Sequence, residues 1–72
     1  MPEILDTTGL KCPLPALKAQ KRLDALPPGA RLTVLASDPM AKIDIPHLCQ
    51  REGHRLLEMV EQDGLRFEIE RA

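Results

Sequence analysis

Pro27-Pro28-Gly29-Ala30-Arg31-Leu32-Thr33-Val34-Leu35-Ala36-Ser37-Asp38-Pro39 is the stretch that decides the fold. Pro27-Pro28-Gly29 stops a helix arriving from upstream and turns the chain. Leu32, Val34 and Ala36 fall at alternate positions, so Arg31 to Ala36 reads as a strand with one apolar face. Ser37-Asp38-Pro39 then reads as a helix start. The Asp38 carboxylate can accept hydrogen bonds from unpaired first-turn N–H groups, and proline suits the first turn. Helix, strand and helix therefore alternate, which points to mixed α and β structure.

Upstream, Ala16, Ala19, Leu23 and Leu26 recur at steps of three and four, with Leu14 and Leu17 beside them. Lys18, Lys21 and Arg22 take the other side, giving an amphipathic helix that begins at Cys12-Pro13. Glu3-Ile4-Leu5-Asp6-Thr7 precedes it as a short strand ended by Thr8-Gly9. Downstream, Pro46 interrupts the second helix. The expectation is a broken or kinked helix, with Asp44 as a second cap, its firmer part near Pro46 to Glu52, and Gly53 closing it. Arg55 to Gln62 and Leu65 to Arg71 then flank Asp63-Gly64, a two-residue turn signal of the type I′ kind. A simple two-residue register would set Glu58 on the face of Ile69, so a bulge or a longer loop is needed to repair it.

The element order is β-α-β-α-β-β. Two amphipathic helices stacked on one face of a four-stranded mixed sheet bury every apolar stripe at once. The expected fold is thus an α+β two-layer sandwich, and 72 residues make it a single domain spanning residues 1–72.

Composition narrows the function classes. Hydrophobic residues make up 43% and charged residues 29%, which suits a globular chain rather than a disordered one. Ten Lys and Arg against 11 Asp and Glu give a net charge of −1, with no bulk electrostatic attraction to nucleic acid or an anionic membrane. The single aromatic, Phe67, also removes the stacking platform that single-strand binders use. No apolar run approaches the roughly 20 residues that span a bilayer. Met1 to Asp6 show no signal-peptide pattern, so the cytoplasm is the expected compartment. Cys12 and Cys49 are the two cysteines and His47 and His54 the two histidines, at no metal-site spacing. Neither a metal nor a cofactor is expected, and a core this small leaves the domain marginally stable.

Gly9-Leu10-Lys11-Cys12-Pro13-Leu14-Pro15 carries the chemistry. A strand ends, Gly9 turns the chain, and Cys12 falls at the expected N-cap or first position of a helix. The helix dipole, unpaired N–H groups and adjacent Lys11 all favour thiolate, so a lowered Cys12 pKa is expected. Pro13 fits the first helical position, and Pro15 removes an early N–H that has no partner anyway. Together they stiffen the helix start while thinning out the donors available to the sulfur. Position 15 is proline, so there is no Cys-x-x-Cys redox motif. An exposed nucleophile without a resolving partner, an evident base or room for a large pocket suits a carrier better than a stand-alone catalyst.

Leu10-Lys11-Cys12-Pro13-Leu14-Pro15 resembles the Cys-Pro-x-Pro signature of the TusA-like sulfur carrier family. The likeness continues through Ser37-Asp38-Pro39, Asp44-Ile45-Pro46 with Cys49, and Gly53-His54 before the hairpin. It covers essentially the whole chain in order. The resemblance implies the same β-α-β-α-β-β sandwich, and a persulfide carried on Cys12 with Gly9, Lys11, Pro13 and Pro15 in support. It also implies a cysteine desulfurase or rhodanese-type protein as sulfur donor and another sulfur-relay protein as acceptor. The sulfurtransferase branches it covers include tRNA 2-thiolation and sulfur oxidation.

Other readings stand beside this one. The domain could be a regulatory or interaction module that uses the same surface without carrying sulfur. It could also be a redox switch in which Cys49 pairs with Cys12, although Cys49 lies four residues after Ile45 and reads first as a packing residue. His47 and His54 read as partly exposed, Met40 and Met59 as gap fillers or contact surface. The Lys18, Lys21 and Arg22 face is solvated or docks an acidic partner. A carrier is expected to be monomeric between encounters, with its working face free.

Overall fold

The computed structural model describes residues 3–72; the signal-peptide reading at Met1 and Pro2 falls outside them. The elements are β1 (Glu3–Thr7), α1 (Leu14–Ala25), β2 (Arg31–Ala36), α2 (Ala41–Glu52), β3 (Arg55–Glu61) and β4 (Leu65–Glu70). They form one mixed sheet in the order β1-β2-β4-β3. β1 runs parallel to β2, and β4 lies antiparallel to both β2 and β3. The expected β-α-β-α-β-β sandwich is the observed one.

Register explains which side chains reach the core. Leu32 stands opposite Ile69, Val34 opposite Phe67 and Ala36 opposite Leu65, so these six share the face under the helices. All are buried, and from the helices Ala19, Leu23, Ile45 and Leu48 meet them. The other face carries Thr33, Glu58, Arg66 and Glu68 in a hydrogen-bonded and ion-paired lattice. One apolar and one charged face is what an antiparallel-rich sheet covered on a single side requires.

Local expectations in both helices need correction. α1 starts at Leu14, with Pro13 at the N-cap and Pro15 among the buried residues. Pro13 therefore stands just outside the helix, Cys12 one residue further out, and Pro15 packs into the core as well as stiffening the first turn. The assigned stripe of α1 does face the core, with Ala19 and Leu23 buried and Ala16 and Leu26 packed against them, while Leu14 and Leu17 beside it remain exposed.

α2 is one continuous helix with Pro46 inside it, not a broken pair. Its start is tightened by bonds from Ala41 N–H to Asp38 O, Lys42 N–H to Pro39 O and Ile43 N–H to Met40 O. With the first turn so held, proline deprives only the Lys42 carbonyl of its helical donor. The buried stripe of Ala41, Ile45, Leu48 and Cys49 continues on both sides of Pro46 and holds the helix together across it. Asp44 consequently caps nothing. Gly53 does end the helix, at φ 77° with its N–H on Cys49 O.

The hairpin is repaired in both ways at once. Glu61 pairs with Leu65, leaving a three-residue loop rather than a two-residue turn, and the register shifts between Leu56 and Glu58. Asp63 and Gly64 both adopt positive φ, which their residue types tolerate. Glu58 thereby comes opposite Glu68 instead of Ile69, and Arg66 bridges the two carboxylates.

Candidate functional site

Parallel pairing of β1 and β2 sends the β1–α1 and β2–α2 connections out of the same edge of the sheet. The two connections are tied together there. Gly9 N–H donates to Ser37 Oγ at 2.8 Å, and Cys12 N–H donates to Asp38 Oδ2 at 2.7 Å. Asp38 Oδ1 accepts from Met40 N–H at 3.0 Å. One carboxylate therefore fixes the cysteine loop and the entry to α2 together. Those two backbone donors hold the Asp38 carboxyl below its ordinary range. Gly9 sits at φ 85°, a conformation that permits the sharp exit from β1.

Within the cysteine loop, Leu14 N–H bonds to Lys11 O at 2.8 Å and Leu17 N–H to Pro13 O at 3.1 Å. Cys12 is exposed, whereas Cys49 is buried at 2%. The Cys12 thiol reaches across to α2, where Sγ donates to Asp44 Oδ2 at 2.6 Å. That contact overturns the expected electrostatics. Hydrogen bonding to Asp44, then burial, then the charges of Asp44 and Asp38 push the thiol above its ordinary range. Lys11 does not offset them: its charge acts on Asp38. Burial raises Cys49 further, to about 11.

Two concavities border the cysteine loop. An open depression of about 460 Å³ is lined by Gly9, Leu10, Lys11, Ser37, Asp38 and Pro39. A narrower cleft between the helices is lined by residues including Pro13, Leu17, Asp44 and His47. Leu14, Leu17, Met40 and Ile43, the last 62% exposed, leave apolar side chains at the surface in the segments that frame these concavities. An apolar surface with a few polar groups inside it is the make-up of a protein-docking site.

The structure thus brings Gly9, Lys11, Cys12 and Pro13 into one surface, places Pro15 beneath it, and leaves Cys49 in the core. His47 lines the interhelical cleft. His54 lies just before β3, where Nδ1 accepts from Ala72 N–H at 3.0 Å. The basic face of α1 is reduced, since Arg22 pairs with Glu3. Ser37, Asp38 and Asp44 were not read as site residues. The parallel β1–β2 pairing could have placed Ser37 and Asp38 beside Cys12, and the motif Asp44-Ile45-Pro46 contains Asp44 without saying which side chain it faces. Among the described residues no helix is long and apolar enough to cross a membrane, and no group of three or more His, Cys, Asp or Glu could hold a metal ion.

Fold and site together define a class of small α+β sandwiches that present one accessible thiol at the end of the first β-α connection. The chain belongs to the TusA sulfurtransferase family, whose sequence model matches residues 3–71. It is 52% identical over 63 residues to a Neisseria meningitidis serogroup A protein provisionally named a sulfur carrier, covering 88% of this chain and 85% of that one. It is 44% identical over 61 residues to the sulfur carrier protein TusA of Pseudomonas aeruginosa, covering 85% and 77%. Among solved structures, the SirA-like protein of Desulfitobacterium hafniense superposes with a TM-score of 0.80 at 27% identity, covering 96% of this chain and 95% of that one.

Proposed function

We propose that this protein is a sulfur carrier and that Cys12 is the atom-bearing residue. The observation that carries the assignment to Cys12 is accessibility: of the two cysteines, Cys12 alone is exposed, while Cys49 is buried and its proton is held by desolvation. In the transfer, Cys12 Sγ attacks the outer sulfur of a donor persulfide. The new S–S bond forms as the donor S–S bond breaks, and the electron pair leaves on the donor sulfur, which takes up a proton. The balance is Cys12–SH plus donor–S–SH giving Cys12–S–SH plus donor–SH, with no external oxidant. Delivery to an acceptor repeats the step with Cys12 as donor.

Gly9, Pro13 and Pro15 hold the sulfur's loop, and the exposed leucines, Met40 and Ile43 supply the surface on which donor and acceptor proteins dock. A cysteine desulfurase or a rhodanese-type protein fits as donor and a sulfur-relay protein as acceptor, in the cytoplasm. The test is intact mass after incubation with a cysteine desulfurase and cysteine. Wild type and Cys49→Ser should each gain about 32 Da per transferred sulfur, removable by reductant, while Cys12→Ser gains nothing. Sulfur retained on Cys12→Ser defeats the assignment. So does an unmodified wild type that a chemical persulfide donor also fails to load.

A further inference from the structure

Two aspartates and a thiol converge where a carrier would be expected to favour thiolate. Cys12 Sγ lies 2.6 Å from Asp44 Oδ2, and Asp38 holds the Cys12 backbone from the other side. A thiolate and a carboxylate at that separation would repel strongly, so the contact requires a proton between them. The other charged or titratable groups near this point are Lys11 beside Cys12 in sequence, and His47 and Arg51 further along α2 on the interhelical cleft. Lys42 is engaged with Glu61. No cation is hydrogen-bonded or ion-paired to Asp44 among the described residues.

We propose that Asp44 gates Cys12: its carboxylate keeps the thiol protonated and turned toward α2, and a lysine or arginine of the sulfur donor opens the gate by taking Asp44 as its own partner. This rests on the carrier reading of Cys12 and adds a positioning residue and a partner chemistry to it. In the free protein the sulfur is exposed but held in its less nucleophilic, protonated form. On docking, the donor's cation neutralises Asp44, the thiol proton leaves to solvent, and the thiolate attacks the donor's outer sulfur as described above. The donor thiolate that departs is protonated in turn, so the proton count closes. The same carboxylates disfavour a resident persulfide anion and so favour passing the sulfur on.

The test has two arms, both in the Cys49→Ser background so that only Cys12 reacts. Alkylation by iodoacetamide as a function of pH reads the thiol without any sulfur transfer. Asp44→Asn should react severalfold faster than its parent at neutral pH, with its midpoint moved to lower pH, and Asp44→Glu should return the profile toward the parent. Loading from a cysteine desulfurase with cysteine reads the gate. There Asp44→Asn should need a severalfold higher donor concentration for half-maximal loading, because the donor's cation has lost its partner. An Asn midpoint that is unchanged or raised overturns the gate, and so does an unchanged half-maximal donor concentration. Should Asp44→Asn lose its far-ultraviolet signal, Asp44→Ser replaces it with the same expected outcomes. If Cys12 takes up no sulfur from any donor while the alkylation profile moves as expected, the carrier reading fails and the thiol–carboxylate coupling does not.

Discussion

Asp38 commits both carboxylate oxygens to backbone N–H groups, one on Cys12 and one on Met40. A carboxyl held below its ordinary pKa binds fewer protons folded than unfolded. Its contribution to stability is therefore present above the ordinary aspartate pKa and is lost as pH falls through the depressed one. Acidification into that window should release the cysteine loop before the sheet. The amide protons of Cys12 and Met40 should then exchange faster while those of β2 and β4 stay protected. Uniform loss of protection would show that Asp38 is no separate tie. Cys12 stood out in sequence mainly through its likeness to the Cys-Pro-x-Pro signature, since a cysteine at a helix start is by itself as readily a packing residue. The direction of its titration was not legible. A helix N-terminus and Lys11 are neighbours in the chain, whereas Asp44 is 32 residues away and acts only through space.

At the scale of elements, α2 shows how burial overrides a local rule. Pro46 costs one hydrogen bond in a helix whose opposite face is fully buried, and the packed stripe prevails. The helix ends where glycine permits a left-handed residue. Nothing within 4 Å would touch a Cβ at Gly53, so the cost of Gly53→Ala is purely conformational. It should be about 1 kcal/mol, visible as a lower denaturation midpoint, with Gly53→Asn costing less. Equal losses for Ala and Asn would point to a cause other than φ. The hairpin has the opposite lesson. Asp63-Gly64 announced a turn correctly, yet loop length and bulge position were set by the need to place Met59 rather than Glu58 on the face of Phe67.

Across the whole molecule, Phe67 is the sole aromatic and is completely buried at the centre of the single apolar layer. Phe67→Ala should cost about 3–5 kcal/mol. A domain of this size holds in total roughly 0.05–0.15 kcal/mol per residue, so that variant approaches or crosses the threshold of unfolding. Phe67→Leu, which keeps most of the volume, should cost less than about 1.5 kcal/mol and give a measurable urea midpoint below wild type. A midpoint equal to wild type would mean that the core is not organised around this ring.

The order of elements, the apolar faces of β2 and β4 and the helix stop at Gly53 could be read along the chain, as could the Cys-Pro-x-Pro motif that marks Cys12 as the reactive candidate. Each is encoded by residues adjacent in the chain or one period apart. Tertiary structure alone decided that α2 runs unbroken through Pro46, that the hairpin carries both a three-residue loop and a bulge, and that Leu14 and Leu17 face outward. It alone also decided that Cys12 faces Asp44 and Asp38 rather than the cationic setting its neighbours suggest. The physical reason is common to all four. Local signals specify backbone conformation, but the orientation of a helix, the register of an edge strand and the charges surrounding a sulfur are fixed by burial and by the parallel β1–β2 pairing. That pairing sets two distant loops against one another.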